Sequence, residues 1–383
     1  MNLAINVLYN PSGGSFSQLV NMIKYFSKRR EINLYIYTTK NNLYLFDNFE
    51  NKNIKIIVSK FAGFSRFNRV LWEQTIFPII LYFAKIDLLF CPGNIAPIFS
   101  PVKSIVWIGT IGPFLKSFIK YFSTKERFEL YINKYVMIAS ARSANAVIFE
   151  SNYTKELFLN NYGIDKKKSH VINIGKDEYY IKSNIKSEND LHDKYELFEP
   201  YALCVSHLYP YKNILNMLSA FSAAQKQTGN QYKLLIAGGI KDIKYHKEIL
   251  SQINYYSLQD SVFLLNSVTK KELMYLYKRC EFFIFPSPFE NFAYTLVEAM
   301  SCGAPIICSD TTAMPETCKD AALYINPYNI DEMTDKINLI ISNKELRFLL
   351  REKSINRSID LPDYQEVTFQ TLDIIKNIIH KHT

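Results

Sequence analysis

The sequence predicts an α/β protein with two domains, each a parallel sheet connected by crossover helices. The chain has 383 residues, beyond the roughly 250–300 at which a single hydrophobic core stops growing. Short β-rich apolar runs alternate with longer helical patterns, as parallel sheets require. A polar stretch, Asp177–Glu199, interrupts the alternation. We therefore predict a first domain at 1–176, a linker at 177–199 and a second domain at 200–363, with a helix at 364–383 packing back on the first domain.

The first half contains seven predicted strands, each a short apolar run. They are Leu3–Leu8, Leu34–Tyr37, Lys55–Val58, Leu88–Cys91, Ser104–Ile108, Ala146–Glu150 and Val171–Ile174. Amphipathic stretches between them predict helices at Phe16–Ser27, Phe67–Phe83, within Phe114–Ser143, and at Asn152–Tyr162.

The second half repeats this alternation. Its predicted strands are Tyr201–Ser206, Lys233–Gly238, Val262–Leu264, Phe282–Phe285, Pro305–Cys308 and Leu323–Ile325. Helices are predicted to begin near Asn213, Asp242, Thr269, Phe292, Met314 and Ile330. Thr269 and Glu272 form a capping box, in which each side chain satisfies a backbone donor of the other residue.

The net charge and the positions of the cysteines indicate which kinds of binding partner and which cellular compartment to expect. The net charge of +9 favours an anionic partner, which could be nucleic acid, a phosphorylated ligand or an acidic bilayer face. No nucleic-acid-binding motif is found, so a nucleic-acid partner is not expected. The six cysteines form no C-x-x-C pair and lie mostly in apolar runs, which predicts reduced thiols in a cytoplasmic protein. The longest apolar run near the N-terminus, at 76–90, is shorter than the ~20 residues of a spanning helix.

The most informative segment runs from Phe285 to Pro305. A buried strand ends in a Pro-Ser-Pro loop, and a helix is predicted to start just after Glu290. The backbone N–H groups at a helix start favour phosphate or sugar hydroxyls. Glu298 lies eight residues beyond Glu290, about two helical turns, so it projects from the same side of the helix. The two carboxylates could bind two polyols, or they could form a solvated helix face.

Two other strand-to-helix loops carry candidate ligand-binding residues. Lys212 follows the first strand of the second domain and could neutralise a diphosphate leaving group, although a surface lysine before a helix is the alternative. His207 in the same loop could add partial positive charge if its pKa rises beside a phosphate, or it could be structural. In the first domain, Gly13 and Gly14 could let the backbone approach a ligand, or they could form a plain tight turn.

The second half resembles the family-four glycosyltransferases, which are retaining enzymes of the GT-B fold with an E-x7-E signature. The matching positions are Val262–Leu265, Glu272-Leu273, Leu276-Tyr277, Glu281–Ser287, Glu290, Glu298-Ala299-Met300, Gly303, Pro305-Ile306-Ile307, Pro315-Glu316 and Asp320-Ala321-Ala322. The resemblance implies two facing Rossmann-like domains with an interdomain cleft. It also implies transfer of a hexose from a nucleotide-diphosphate-sugar to a glycan or lipid-linked acceptor, in bacterial surface polysaccharide synthesis, without a metal or other cofactor.

The same resemblance assigns roles to residues of this chain. Lys212 and Glu290 would be catalytic. The donor-binding residues would be Gly13, Gly14, His207, Asn213, Asn291, Phe292, Ala293 and Glu298. In the family, a Lys-Asn pair at this place contacts the donor diphosphate.

The chain also departs from the family's pattern. Relatives often carry a His-Asp pair where this chain has Gly109–Pro113, and many have an arginine in the loop that here holds His207 and Tyr211. Asn291 and Ala293 replace the usual glycines. A catalytically silent protein that binds sugar nucleotides is therefore the alternative function.

A basic, aromatic stretch lies within residues 114–142. Its basic residues are Lys116, Lys120, Lys125, Arg127, Lys134 and Arg142, interleaved with Phe114, Phe118, Phe122, Phe128 and Tyr131. Such a stretch could contact an anionic membrane at the inner face of the cell membrane. A core-facing aromatic stripe with a solvated basic side is the alternative.

Overall fold

The computed structural model describes residues 1–11, 14–47, 49, 53–182, 189–195, 198–229 and 232–380. The chain divides into two compact units. The first unit comprises Met1–Gly175 and Pro362–Thr383, and the second comprises Lys176–Leu361. Each unit has its own parallel sheet.

The sheet of the first unit has seven strands in the order β3-β2-β1-β4-β5-β6-β7. The strands are β1 (Asn2–Val7), β2 (Asn33–Thr38), β3 (Ile54–Val58), β4 (Leu88–Cys91), β5 (Lys103–Ile108), β6 (Ala146–Phe149) and β7 (Ser169–Val171). All pairings are parallel; Ile5 lies between Ile36 and Phe90. The central strands are buried on both faces, which explains their nearly continuous apolar sequences.

Helices cover both faces of this sheet. They are α1 (Gly14–Ser27), α2 (Arg66–Phe83), α3 (Lys116–Ile119), α4 (Thr124–Ser143), α5 (Asn152–Tyr162) and the final helix of the chain, Tyr364–His380. That final helix packs with α1 over one face, where Val367 and Ile375 join Leu3 and Ile5 in one core cluster. The opposite face carries a second core cluster that includes Ala4, Phe77 and Met137.

The stretch at 114–143 differs from the single amphipathic segment suggested by its sequence. It divides into α3 and α4 because Ser123 caps a new helix: its hydroxyl accepts from the N–H of Glu126, and the Glu126 carboxylate accepts from the N–H of Ser123. The last strand also lies earlier than predicted, at Ser169–Val171 instead of Val171–Ile174.

The sheet of the second unit has six strands in the order β10-β9-β8-β11-β12-β13. They are β8 (Tyr201–Val205), β9 (Lys233–Ala237), β10 (Val262–Leu264), β11 (Phe282–Phe285), β12 (Ile306–Ser309) and β13 (Ala322–Ile325). All six were predicted from the sequence to within one residue at each end.

The described helices of the second unit include three that were not predicted from the sequence, α6, α7 and α14. They are α6 (Glu178–Lys182), α7 (Asn189–Tyr195), α8 (Ile214–Thr228), α9 (Ile243–Tyr255), α10 (Lys270–Arg279), α11 (Tyr294–Ser301), α12 (Met314–Cys318), α13 (Ile330–Ser342) and α14 (Lys344–Ile359). The final helix of the chain is therefore α15. Of these three, α14 packs against α11, and its Ser354 hydroxyl donates to the carbonyl of Ala304 at 2.8 Å.

The segment expected to be a linker, 177–199, belongs to the second unit and contains α6 and α7. Three of its charged residues form ion pairs with residues of α10. The pairs are Asp177 with Lys270, Lys194 with Glu272, and Glu199 with Arg279. The polar composition that suggested a linker is therefore explained by side chains that pair with the charged residues of α10.

Each sheet has one point at which the strand order changes direction along the chain. In the first unit it lies between β1 and β4, and in the second between β8 and β11. Open α/β sheets bind ligands outside the carboxyl ends of the strands at such a switch point. The topology thus marks one candidate ligand-binding edge in each unit. Among the described helices, none is both long and apolar enough to cross a membrane.

Candidate functional site

The candidate site of the second unit lies at its switch point, where the loops after β8 and β11 meet. The loop after β8 ends in a 3₁₀ turn, Pro210–Lys212, before α8 begins. The ammonium of Lys212 lies 2.6 Å from Oε1 of Glu290, which follows β11. Both side chains are largely buried, with 18% and 15% of their surface exposed. The structure therefore brings together the two residues predicted to be catalytic.

Two hydroxyl groups hold the Glu290 segment in place. Ser287 Oγ donates to Oε1 of Glu290 at 2.7 Å, so this oxygen accepts from both Ser287 and Lys212. The N–H of Glu290 donates to Oγ1 of Thr312, which follows β12, at 3.2 Å. Loops from three neighbouring strands thus position one carboxylate.

Aromatic rings confine the Lys212 ammonium. It lies 5.5 Å from the ring centroid of Tyr211 and 5.6 Å from that of Phe285. Tyr211 in turn stacks on Tyr209, with ring centroids 5.0 Å apart. Because these faces displace water, an anion that reached Lys212 would meet a cation with few competing water molecules.

Asn213 joins the two loops through its amide group. Its Nδ2 donates to the carbonyl oxygens of Pro286 at 3.2 Å and Pro327 at 2.6 Å. The residue is buried and has a φ of 63°, a left-handed conformation that asparagine tolerates better than most residues. Asn213 was predicted to contact the donor; in the structure its amide nitrogen holds the main chain beside Glu290.

His207, in the loop after β8, contacts the main chain of the loop after β9. Its Nδ1 accepts from the N–H of Gly239 at 3.2 Å. Burial lowers the pKa of His207, and the nearby charges of Lys241 and Lys212 lower it further. These effects disfavour a positive charge on His207 in this environment; the rise in its pKa beside a phosphate stays a prediction.

Glu298 lies in α11 among tyrosines and not in the Lys212 ion pair. Its Oε2 accepts from the hydroxyl of Tyr277 at 3.3 Å, and it also interacts with Tyr180 of α6. Burial raises the pKa of Glu298 to about 7, despite the opposing hydrogen bonds from the two tyrosines. The carboxyl group can therefore gain or lose a proton near neutral pH.

Residues 187–357 match the family model described as "Glycosyl transferases group 1". The second unit carries a group 1 glycosyltransferase domain. The family resemblance predicted from the Glu290 segment is thereby confirmed.

Curated relatives are similar in sequence, and solved structures are similar in fold. The chain is 29% identical over 187 residues to the O-antigen chain mannosyltransferase B of Escherichia coli, an alignment that covers 48% of each chain. The chain spans about half the length of the curated relatives it matches. A glycosyltransferase of Rickettsia africae superposes with a TM-score of 0.77 at 19% identity, covering 99% of each chain. Anabaena Alr3699/HepE in complex with UDP superposes with a TM-score of 0.76 at 17% identity, covering 98% of this chain and 99% of that one. The predicted GT-B class, with two Rossmann-like parallel-sheet domains, is confirmed.

The helix of the glycosyltransferase domain that carries Glu298 begins later than predicted. It starts at Tyr294 and not directly after Glu290, because Ala293 keeps an extended backbone with φ −88° and ψ 103°. Asn291, Phe292 and Ala293 are all buried in the bend before it. The helix N-terminus is therefore separated from Glu290 by three residues.

Two predicted residues lie in the first unit. Gly14 is the first residue of α1, and Gly13 lies outside the described residues. The sequence analysis missed Ser287, Thr312 and the pair of tyrosines around Glu298. Ser287 could have been found from its place in the Pro-Ser-Pro loop; Tyr180 could not, since its segment had been interpreted as a linker. Among the described residues, no group of three or more His, Cys, Asp or Glu is placed to hold a metal ion.

Proposed function

We propose that this chain transfers a hexose, with retention, from a nucleotide-diphosphate-sugar to a glycan or lipid-linked acceptor in bacterial surface polysaccharide synthesis. The single observation that carries this proposal is the Lys212–Glu290 pair at the switch point of a group 1 glycosyltransferase domain. Because the Escherichia coli relative is named a mannosyltransferase, mannose is the first sugar to test.

Lys212 would stabilise the leaving group. An acceptor oxygen forms a bond to the anomeric carbon while the bond from that carbon to the diphosphate oxygen breaks. The electron pair of that bond goes to the diphosphate, whose developing charge Lys212 would neutralise. The hydroxyl proton of the acceptor would pass to the departing phosphate on the same face. Glu290 would orient sugar hydroxyls once the diphosphate replaces it as the partner of Lys212.

Glu298 would bind the ribose of the nucleotide in its ionised form. A carboxylate can accept hydrogen bonds from both ribose hydroxyls. Tyr277 and Tyr180 support the ionised form through their hydroxyls, while burial opposes it. Ribose binding would therefore draw a proton off Glu298 near neutral pH.

We infer that the reaction needs no metal, because the Lys212 ammonium supplies the positive charge that a divalent ion supplies in other transferases. Equal rates in EDTA and in added magnesium agree with this inference. A rate that collapses in EDTA and returns with magnesium contradicts it.

Contact with an anionic bilayer at the cytoplasmic face of the cell membrane is a further part of the proposal. On α4, Phe128, Tyr131, Ile132 and Tyr135 are exposed at helical spacing, while Leu130, Met137 and Ile138 face the core. Of the predicted aromatic residues, Phe128 and Tyr131 are thus on the surface, close in sequence to the exposed Lys116 and Lys125. Phe114 is buried, as the core-facing alternative expected, and Phe118 and Phe122 are half-buried. The exposed rings of α4 are the part that fits a membrane interface.

A silent sugar-nucleotide-binding protein is the second candidate, favoured by the lowered pKa of His207 and the lack of the usual arginine in its loop. A thermal-shift panel of GDP-, UDP-, ADP- and dTDP-sugars tests donor binding, because a bound ligand raises the melting temperature. A rise with one donor, followed by its acceptor-dependent turnover, supports the enzyme. Binding without turnover or hydrolysis supports the silent protein, and the absence of any shift contradicts both.

A further inference from the structure

The exposed face of α2 carries a ridge of large apolar side chains. Its members Phe67, Leu71, Ile79 and Phe83 are between 44% and 77% exposed. They are four or eight residues apart, a spacing that places side chains in one row along a helix. Thr75 is the fifth member of the row and lies at its centre. The α2 ridge, from Phe67 to Phe83, is about 24 Å long.

The α2 ridge has nearly the same composition when it is read from either end. Each end is a phenylalanine, followed by an aliphatic residue of four carbons, and both halves meet at Thr75. The hydroxyl of Thr75 donates to the carbonyl oxygen of Leu71 at 2.7 Å, so it is already hydrogen-bonded within the helix. The centre of the ridge is therefore its smallest side chain, which lets a second helix approach closely.

This order of side chains is self-complementary. If a second copy of α2 crossed in the opposite direction at Thr75, each Thr75 would lie against its own counterpart. Leu71 of one copy would then meet Ile79 of the other, and Phe67 would meet Phe83. A two-fold axis requires such reciprocal contacts, in which residue i meets j and j meets i.

The apolar surface of α2 is large enough for a specific interface. Phe64, Phe67, Tyr82 and Phe83 are each more than two-thirds exposed. Because an aromatic side chain buries about 150–250 Å² when it is covered, these four offer roughly 400–750 Å² on each copy. The aliphatic residues of the ridge add to this area. A standard interface buries about 800 Å² on each partner, whereas monomers rarely expose contiguous apolar patches above a few hundred Å².

The lack of charge on this face favours a protein partner over an anionic bilayer. From Val70 to Ala84, all of which the structure describes, the only charged residue is Glu73, and it is buried. Arg66 and Arg69 precede this stretch, in the first turn of α2. Helices that lie on anionic membranes carry lysines and arginines beside their apolar face. Dimer interfaces are instead depleted of charged residues and enriched in aromatic residues at their core.

We propose that α2 forms a dimer interface, in which a second copy of this chain covers the α2 ridge about a two-fold axis at Thr75. Association removes the rings of Phe67 and Phe83 from water, which supplies the driving force. The inference does not depend on the proposed function, because a chain that transfers no sugar would present the same surface.

The test is sedimentation velocity of the full chain without lipid, over a range of concentrations. We expect a dimer that dissociates on dilution. Thr75→Glu and Thr75→Lys each place two like charges at the axis, so each should raise the dissociation constant of the dimer roughly a hundredfold or more. An equimolar mixture of the two variants should form dimers again, because the charges at the axis are then opposite. Thr75 is exposed, so neither change disturbs the core.

Gln365→Glu and Gln365→Lys are the matched controls. Gln365 is an exposed residue of α15, which covers the opposite face of the same sheet. Both controls should dimerise as the unsubstituted chain does, and an equal loss in them overturns the proposal. A dimer that ignores Thr75→Glu, or a mixture that stays monomeric, also overturns it. So does an unsubstituted chain that is monomeric at every concentration; loss of vesicle binding in Thr75→Glu would then assign the ridge to a bilayer.

Discussion

The ammonium of Lys212 lies 2.6 Å from a carboxylate oxygen of Glu290, although the two residues are 78 positions apart in the chain. They meet because β8 and β11 are neighbours in the sheet and their loops leave the same edge. In the proposed function, a donor diphosphate would compete with Glu290 for Lys212. The ion pair would hold the ammonium in place until the diphosphate replaced the carboxylate as its partner.

The Lys212–Glu290 pair should show energetic coupling. Lys212→Ala and Glu290→Gln each remove one partner of a largely buried ion pair, so each should lower the free energy of unfolding by about 1–3 kcal/mol. The double variant should lose less than the sum, by about 1 kcal/mol or more. Urea denaturation of the four proteins measures this. Additive losses would mean that the contact contributes nothing.

The stability of the chain should depend on both the side-chain amide and the backbone conformation of Asn213. Asn213→Gly and Asn213→Ala both remove the bonds to Pro286 and Pro327, but only alanine meets the steric cost of a φ of 63°. We expect alanine to destabilise the chain by about 1 kcal/mol more than glycine. Thermal melts of both variants test this order, and equal melting temperatures would refute it.

Glu298 should make stability depend on pH between about 4.5 and 7. Burial raises its pKa from 4.5 to about 7 in the folded chain, so the unfolded chain loses this proton first as pH rises. The contribution of Glu298 to stability therefore falls through this window and stays low above it. Glu298→Gln should raise the melting temperature at pH 8 relative to the unsubstituted chain, and should have little effect at pH 4.5.

The same carboxyl should set the pH dependence of donor binding. If ribose binds the ionised form, donor affinity should rise with pH through about 7 and then level off. Glu298→Gln should bind donor more weakly at pH 8 and lose this dependence. A variant that keeps the rise would assign it to another group, and the ribose role of Glu298 would be wrong.

Membrane contact should depend on the surface of α3 and α4. Lys116→Gln with Lys125→Gln should weaken binding to vesicles rich in anionic phospholipid, since each lysine near such a surface contributes about 1 kcal/mol. Phe128→Ser should weaken it further, because this ring is 67% exposed. Co-sedimentation with sucrose-loaded vesicles measures the effect.

The matched control changes two exposed lysines of the second unit, Lys247→Gln with Lys344→Gln, and keeps the same net charge as the lysine variant. Equal weakening by both double variants would show that overall charge, and not this surface, attracts the bilayer. Binding that is unaffected by any of these changes would remove membrane contact from the account.

Local pattern was sufficient for the six strands of the second unit and for the loops that hold Lys212 and Glu290. Buried parallel strands are short apolar runs, so β8 and β11 and the loops after them could be placed from sequence. The environments of side chains could not be placed in this way. One oxygen of Glu290 accepts from both Ser287 and Lys212, and burial raises the pKa of Glu298 and lowers that of His207. All three environments depend on residues that only folding brings together.

The segment at 177–199 shows the same limit at a larger scale. Its charges resembled those of a solvated linker because their partners, Glu272 and Arg279 among them, lie about 80 residues away. The division of residues 114–143 was missed for a different reason. Ser123 and Glu126 signal a helix start, but the helical pattern on both sides of them concealed it.

The most direct test of the account is the rate of nucleoside diphosphate release from the donor that binds most tightly, compared between the unsubstituted chain and Lys212→Ala. We predict a fall of about 10²–10³-fold, partial recovery with Lys212→Arg, and no change with the control Lys244→Ala, whose side chain is 88% exposed. Release that proceeds at the same rate without the Lys212 ammonium would contradict the claim that this residue carries the departing charge.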